Sequence, residues 1–243
     1  MLKFTLMIMT HLENIMTHFI PGVELAEAFF HEMIAPLLAR HFPHLQYSAG
    51  KLHKGSDVLG FDTPRSMDHD WGASKLDIFL QEDDYLRLAD DISRVLADEL
   101  PHEFRGLPTD FLTPDVDGGT IGDVADGPVQ HRITMTTVDR FFQNYIGLNP
   151  REPIQAHEWL LIAPQYLRTI THGKVFHDGL HQLCNIQERL TWYPHDVWLY
   201  LLACQWRKID QEEPFMARCG DVGDELGSRL VAARLVQDVM QYP

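Results

Sequence analysis

The sequence predicts an α/β (α+β) domain with a small mixed sheet, followed by an all-helical domain. Up to about residue 150, segments with the helical spacing of apolar residues alternate with short segments of strand character. Beyond Pro153, almost only helical spacing recurs. The length of 243 residues suits one large domain or two small ones. We therefore predict a mixed domain over residues 19–150 and a helical domain over residues 151–243.

The first predicted element is a helix over residues 23–40, in which Pro36 kinks the helix or ends its regular part. A short strand over residues 47–53 follows. A second strand over residues 67–71 comes next, and residues 76–80 either extend it or form its neighbour.

The middle of the chain continues this alternation. Residues 82–100 carry helical spacing with an acidic outer face, and residues 104–110 are a candidate strand. Residues 113–128 are rich in Gly, Asp and Pro, which predicts an exposed loop. Apolar and polar residues then alternate over residues 129–137, as in a half-buried strand, and residues 138–146 return to helix.

The remaining chain is predicted as a series of helices. Their expected ranges are 156–162, 164–171, 180–190, 194–213 and 221–240.

Composition excludes several classes of function. The net charge of -15 argues against broad binding to nucleic acid or to anionic membranes, which requires a basic surface. No stretch approaches 18 uncharged apolar residues and no signal-peptide cleavage pattern occurs, so we expect a cytoplasmic protein. The odd count of three cysteines and their spacing fit neither disulfides nor a metal motif, so they are expected to be buried and reduced.

A motif over residues 55–71 carries the chemistry. It closes on Asp68-His69-Asp70, in which the two aspartates are two residues apart. On a strand they would face the same way, about 7 Å apart, and two such carboxylates repel each other unless a cation lies between them. Oxygen ligands of this kind suit Mg²⁺. We therefore predict Asp68 and Asp70 as metal-binding and catalytic residues.

Gly55 and Ser56 open the same motif. A residue without a side chain, free backbone N–H groups and a hydroxyl donor are what a triphosphate requires, so this pair is a predicted nucleotide-binding turn. Lys54 and Arg65, together with Lys51, form a basic cluster that could attract the phosphates. The alternative is that these three are solvated surface charges.

These residues resemble a known signature. Gly-Ser, eleven further residues and then Asp-x-Asp resembles the signature of the DNA polymerase β-like nucleotidyltransferase superfamily. The longer runs Gly-Ser-Asp-Val-Leu-Gly-Phe-Asp and Arg-Ser-Met-Asp-His-Asp-Trp-Gly, with Trp-Tyr-Pro-His-Asp-Val-Trp from Trp192, are similar to the DUF4037 family of nucleotidyltransferase-like proteins. The resemblance begins near Phe19, so residues 1–18 are expected to be an N-terminal extension. It implies a nucleotidyltransferase-like domain over residues 19–150 and a truncated C-terminal domain, because related chains run longer.

The resemblance implies Mg²⁺-dependent transfer of a nucleoside monophosphate, with AMP expected, from a nucleoside triphosphate to a hydroxyl of a small molecule. One or two Mg²⁺ ions would bridge the phosphates and orient the attack. One alternative is a module of the same fold that binds a nucleotide or a partner without turnover. Another is a metal-dependent phosphohydrolase, suggested by three doublets: His69-Asp70, His177-Asp178 and His195-Asp196.

The sequence departs from the superfamily pattern at the third carboxylate, which should lie on a later strand beside the aspartate pair. The strand predicted over residues 129–137 contains no Asp or Glu, and Thr134 or Thr136 occupies the plausible face. A missing third acid would remove a general base. Other carboxylates remain candidates: Asp77, Asp110, Asp126 and Asp139, and in the helical domain Glu188 and Asp196.

Five aromatic residues cluster in the helical part: Trp192, Tyr193, Trp198, Tyr200 and Trp206. Helical spacing favours a place in the core, and the alternative is the wall of an acceptor pocket.

Overall fold

The computed structural model describes residues 19–64, 75–111 and 127–241. The described residues up to Ile154, together with Ile162–Thr191, form one compact unit. Gln155–Leu161 and the described residues from Trp192 onward form a second.

The first helical segment is continuous but not uniform. Helix α1 (Gly22–Phe29) passes through one π-helical stretch (Phe30–Ile34) into α2 (Ala35–His41). Pro36 is the second residue of α2, two residues after the π-helical stretch ends. Because proline has no N–H and its ring needs room near the carbonyl one turn back, a locally widened turn lets the helix continue past it. The predicted helix is thus confirmed, and Pro36 neither ends it nor starts a loop.

Six strands are present in the part of the chain that the structure describes. They are β1 (Tyr47–Lys51), β2 (Asp77–Leu80), β3 (Glu103–Phe104), β4 (Leu107–Pro108), β5 (Thr134–Thr137) and β6 (Lys174–Asp178). The main sheet has the strand order β5-β2-β1-β6. Strand β1 is antiparallel to both of its neighbours, whereas β2 and β5 are parallel. The small mixed sheet is therefore confirmed.

The remaining helices follow in chain order. They are α3 (Glu82–Glu99), α4 (Val138–Ile146), α5 (Ala156–Trp159), α6 (Pro164–His172), α7 (Leu183–Leu190), α8 (His195–Asp221) and α9 (Glu225–Gln241). No helix among the described residues is long and apolar enough to cross a membrane.

Strand β6 corrects the prediction that everything beyond residue 150 is helical. It pairs with β1, so the chain returns to the sheet after the predicted domain boundary. Two glycines make room for it. A Cβ on Gly50 would lie 2.7 Å from the Lys174 carbonyl oxygen, and one on Gly173 would lie 2.6 Å from that of Lys51. Because both obstacles are backbone atoms, only glycine lets the two strands approach this closely.

Two other predicted strands are shorter than expected. In the range 129–137 only Thr134–Thr137 joins the ladder, because the Val129 N–H donates to Ala97 on α3. Between residues 104 and 110 the chain forms only the β3–β4 hairpin, which turns through Arg105 and Gly106 at positive φ. The strand predicted over residues 67–71 lies outside the described residues.

Both faces of the sheet are covered, which explains why all four residues of β2 are buried. On one face Ile78 and Leu80 belong to a core with Leu25 and Phe29 of α1. On the other face Phe79 meets Phe141 of α4 edge to face, with ring centroids 5.2 Å apart.

In the second unit, α8 and α9 pack against each other. The Lys208 ammonium lies 2.6 Å from an Asp238 carboxylate oxygen, and the Gln205 amide donates to the Asp238 carbonyl. Asp238 is itself buried.

The aromatic residues expected in the core are mostly elsewhere. Trp192, Tyr200 and Trp206 are each more than half exposed. Trp192 and Trp198 contact each other with ring centroids 5.1 Å apart. The core interpretation of the exposed three is therefore wrong.

We expect Phe79→Ala to lower the free energy of unfolding by about 3–5 kcal/mol, because it empties a site enclosed on every side. Leu86→Ala is the matched control, since Leu86 is 68% exposed and its loss should cost less than about 0.5 kcal/mol. Urea denaturation followed by circular dichroism measures both. Equal losses in the two variants would contradict this placement of Phe79.

Candidate functional site

The candidate site lies at the end of the two central strands of the sheet, where β1 ends and β2 begins. Gly50 stands directly opposite Asp77 in the antiparallel register. The chain therefore leaves the sheet and returns to it at one place. The segment between carries the Gly-Ser pair and then Arg65, Asp68 and Asp70. Those last three lie outside the described residues.

The Gly55-Ser56 turn is held by Asp57. One Asp57 carboxylate oxygen, Oδ1, accepts the Val58 N–H at 2.9 Å. A Cβ on Gly55 would lie 2.2 Å from that oxygen, so a larger residue there would displace the Asp57 carboxylate. Ser56 is exposed, and its carbonyl accepts the Phe61 N–H at 2.7 Å. The Ser56 hydroxyl thus sits on a fixed turn within reach of solvent.

Lys51 and Lys54, the two described members of the predicted basic cluster, lie in different environments. Lys51 is fully buried and paired with buried Asp57, so it is not a solvated surface charge. Because Asp57 neutralises Lys51, this buried ion pair stabilises the Gly55-Ser56 turn. Lys54 is exposed and can meet a ligand from solvent.

Asp62 ties the far end of this loop to α1. Its Oδ2 accepts the Gly22 N–H at 2.7 Å, at the first residue of α1. Pro21, which precedes the helix, offers no side-chain cap. A carboxylate at a helix N-terminus satisfies a free N–H group and interacts favourably with the helix dipole. Asp62 in the Gly-Phe-Asp run therefore has a structural role.

His53 and Asp77 form a hydrogen-bonded pair at the start of β2. His53 Nδ1 lies 2.8 Å from Asp77 Oδ2, and Asp77 is almost fully buried. A carboxylate in this position holds the Nδ1–H tautomer, which leaves Nε2 as a proton acceptor. No local pattern in the sequence indicates His53, because its partner Asp77 is 24 residues away.

Tyr145 of α4 and Thr169 of α6 complete the polar group around this pair. The Thr169 hydroxyl donates to the Tyr166 carbonyl at 2.9 Å, so Tyr145, 2.7 Å away, donates to Thr169. Burial is the largest cause of the raised pKa of Tyr145, and the nearby Tyr166 and Asp77 add to the rise. We call His53, Asp77, Tyr145 and Thr169 the His53 cluster.

The neighbour of β2 carries no carboxylate. Parallel pairing sets Thr134 opposite Asp77 and Thr136 opposite Phe79. β5 therefore lies beside β2 and presents threonine there; the third acid was expected beside Asp68 and Asp70, which lie outside the described residues. Among the described residues, Asp77 is the candidate third carboxylate that belongs to the His53 cluster.

The other candidate carboxylates have other partners or are exposed. Buried Asp110 accepts from the Gln130 N–H at 2.8 Å and bonds His102 at 2.6 Å. Asp139 pairs with Arg151. Glu188 and Asp196 are exposed, on α7 and α8 respectively. Asp126 lies outside the described residues.

The doublet His177-Asp178 is explained by helix capping. One Asp178 oxygen accepts the Ser48 hydroxyl at 2.8 Å and the Gln182 N–H at 3.1 Å. The same oxygen lies 3.3 Å from the Leu183 nitrogen, and the other accepts the Cys184 N–H at 3.1 Å. Asp178 thus supplies hydrogen bonds to the first turn of α7.

The phosphohydrolase alternative lacks a ligand set in what the structure describes. Over residues 19–64, 75–111 and 127–241, no three His, Cys, Asp or Glu side chains converge as a metal site would require. His195 and Asp196 are both exposed at the start of α8. His69 and Asp70 lie outside these ranges.

The described residues form a mixed α/β protein with a helical C-terminal region. Residues 159–242 match the model of DUF4037, a domain of unknown function, which supports the resemblance of this region to that family. The match includes the run from Trp192 to Trp198 and begins well after the Gly-Ser turn. Searches of curated proteins and of solved structures found no match.

The Asp178 cap predicts a loss of stability in acid. Burial alone would raise the pKa of Asp178, but its hydrogen bonds with Cys184, Ser48, Gln182 and Leu183 together lower it below 3.8. A carboxyl whose pKa is lowered by folding stabilises the fold above its unfolded value and loses that contribution as pH falls through the folded value. Asp178→Asn should therefore cost about 1–3 kcal/mol at neutral pH, and the difference from wild type should shrink below pH 3.8.

Urea denaturation at several pH values between about 3 and 7 measures this difference. Asp90→Asn, at an exposed position on α3, is the control and should change little at any pH. A difference for Asp178→Asn that stays constant down to pH 3 would contradict the cap.

Proposed function

We propose that this chain is a Mg²⁺-dependent nucleotidyltransferase with a nucleotidyltransferase-like fold in its mixed α/β part. It moves a nucleoside monophosphate, with AMP expected, from a nucleoside triphosphate to a hydroxyl of a small molecule. The observation that carries the proposal is the register of β1 and β2. Because Gly50 is opposite Asp77, the chain leaves the sheet before the Gly-Ser turn and returns to it after Asp70 at the same end of β1 and β2.

The turn suits a phosphate group. Gly55 gives the backbone room, exposed Ser56 supplies a hydroxyl, and exposed Lys54 supplies a positive charge. In this proposal Arg65 assists in binding the same phosphates, whereas Lys51 does not, because it is paired with Asp57.

The donor chemistry near the turn fits Mg²⁺, which takes carboxylate oxygens. Asp68 and Asp70 would hold the metal, and Asp77 offers a third carboxylate on the adjoining strand. Only Oδ2 of Asp77 is hydrogen-bonded within the described chain, so Oδ1 remains for another ligand. When bound, Mg²⁺ would offset the charge that develops on the phosphates.

His53 supplies the general base that β5 lacks. The acceptor hydroxyl oxygen forms a bond to the α-phosphorus, and the bond from that phosphorus to the oxygen bridging to the β-phosphate breaks. Pyrophosphate leaves, and the hydroxyl proton passes to His53 Nε2. Asp77 stabilises the imidazolium through Nδ1–H, as a carboxylate does in an Asp–His pair.

A second candidate is a nucleotide-binding or partner module of the same fold without turnover. The absence of a carboxylate on β5 favours it, because the superfamily pattern places the third acid there. Nucleotide binding and turnover must therefore be tested separately.

Binding is tested by thermal stability with Mg²⁺ and ATP, GTP, CTP or UTP in turn. A ligand at a hundredfold excess over Kd stabilises the folded state by about 2.7 kcal/mol. We expect a Mg²⁺-dependent rise in the midpoint with one nucleotide and its loss in the double variant Asp68→Asn/Asp70→Asn. The control is Asp83→Asn/Asp90→Asn, two exposed positions of α3. A rise that survives in the first double variant would refute the metal assignment.

Turnover is tested with the variant His53→Gln. The assay measures pyrophosphate release from Mg·ATP, with glycerol and monosaccharides as acceptors that carry hydroxyl groups. We expect kcat to fall by about 10²–10⁴-fold, with the nucleotide-dependent thermal shift unchanged. His172→Gln is the matched control, because His172 is exposed on α6. Unchanged turnover in His53→Gln would remove His53 as the base. Wild-type protein that binds a nucleotide and releases no pyrophosphate would favour the silent module.

A further inference from the structure

A groove of about 510 Å³ opens beside β5, on the side of the sheet away from β1. Thr134 and Met135 of β5 line it, with Gln143 and Asn144 of α4 and the following Asn149. The Tyr85 ring of α3 also contributes to its wall. We call this the β5 groove. Its volume lies in the range of small-molecule sites.

The strand that lines the groove has an open backbone edge. The Thr134 N–H donates to the Leu76 carbonyl at 3.0 Å, so the Thr134 backbone faces β2. Along a strand these groups alternate, so the Met135 N–H and carbonyl face outward. β5 is an edge strand of the main sheet, and no described strand pairs with that side. The groove therefore has a backbone donor and a backbone acceptor.

Its side chains add further hydrogen-bonding groups. In the described ranges, neither the Asn144 amide nor the Thr134 hydroxyl has a protein partner at hydrogen-bonding distance. The Gln143 amide nitrogen donates to the Gly147 carbonyl at 3.2 Å, which leaves its oxygen as an acceptor. The β5 groove thus offers both hydrogen-bond donors and hydrogen-bond acceptors.

The charges at the groove are already neutralised. Arg140 donates to both carboxylate oxygens of Glu82, at 2.6 and 3.3 Å, and its guanidinium lies 4.7 Å from the Tyr85 ring centre. Asp139 is paired with Arg151. A charged ligand would have to break one of these pairs, whereas a neutral ligand would not.

We propose that the β5 groove binds a neutral polyhydroxylated molecule of mono- or disaccharide size. This molecule would be the acceptor in the nucleotidyl transfer proposed above, and its role as acceptor rests on that proposed function. Hydroxyl groups both donate and accept, which matches amides, a threonine hydroxyl and an open strand edge. Thr134 stands opposite Asp77, so β5, which lines the groove, is about 4.8 Å from the strand that carries Asp77 of the His53 cluster.

An extended peptide fits the same place less well. A peptide that adds to a sheet edge needs a run of outward-facing backbone groups. β5 has four residues and passes directly into α4, where the Thr137 hydroxyl accepts the Arg140 N–H. The edge is therefore too short to guide a peptide strand.

Saturation-transfer NMR with D-glucose and maltose tests the proposal, in the absence of Mg²⁺ and nucleotide. We expect transfer to the sugar protons with wild type, and binding weakened about three- to tenfold in Asn144→Leu and in the near-isosteric Thr134→Val, the factor of one net hydrogen bond. Asn185→Leu, at an exposed position of α7, is the control and should bind as wild type does.

Absent transfer, or equal transfer in wild type and both groove variants, would overturn the proposal. Transfer to tri-alanine but to neither sugar would overturn the ligand class. Failure of the transferase itself would appear separately, as no Mg²⁺-dependent stabilisation by any nucleotide while sugar binding persists.

Discussion

The antiparallel pairing of β1 with β2 is the constraint on which the candidate site depends. Its register places Gly50 against Asp77 and brings His53 within 2.8 Å of the Asp77 carboxylate. A shift by one residue would turn Asp77 to the opposite face, because side chains alternate along a strand. The buried residues of β2 prevent that shift, since Phe79 and Ile78 would exchange environments. Packing of the core therefore sets the geometry of the His53–Asp77 pair.

The same sheet explains why several charged residues of the motif regions are structural. Lys51 and Asp57 pair below the Gly-Ser turn, and Asp178 binds the first turn of α7. Removing one partner of a buried ion pair leaves an uncompensated charge, which costs about 3–5 kcal/mol. A buried charge in a motif can thus be required for the shape of a loop.

The family match and the proposed chemistry rest on different parts of the chain. The family match covers residues 159–242, whereas the Gly-Ser turn, His53 and Asp77 all precede it. Within the matched range, Asp178 and Gly173 have clear structural roles at the end of β6 and before it. The proposal of nucleotidyl transfer therefore depends on the geometry of the mixed sheet. The family match does not by itself support nucleotidyl transfer.

The sequence by itself determined the elements whose period is long and regular, such as α3 and α4, and the position of the Gly-Ser turn after a strand. It identified β5 as a strand without a carboxylate, because that follows from composition. It did not predict β6, since five residues between two glycines give too short a pattern, and pairing with β1 decides their conformation. Only the tertiary structure joined His53 to Asp77 and gave Asp178 its helix to cap. Such contacts link residues far apart in sequence, and no local spacing records them.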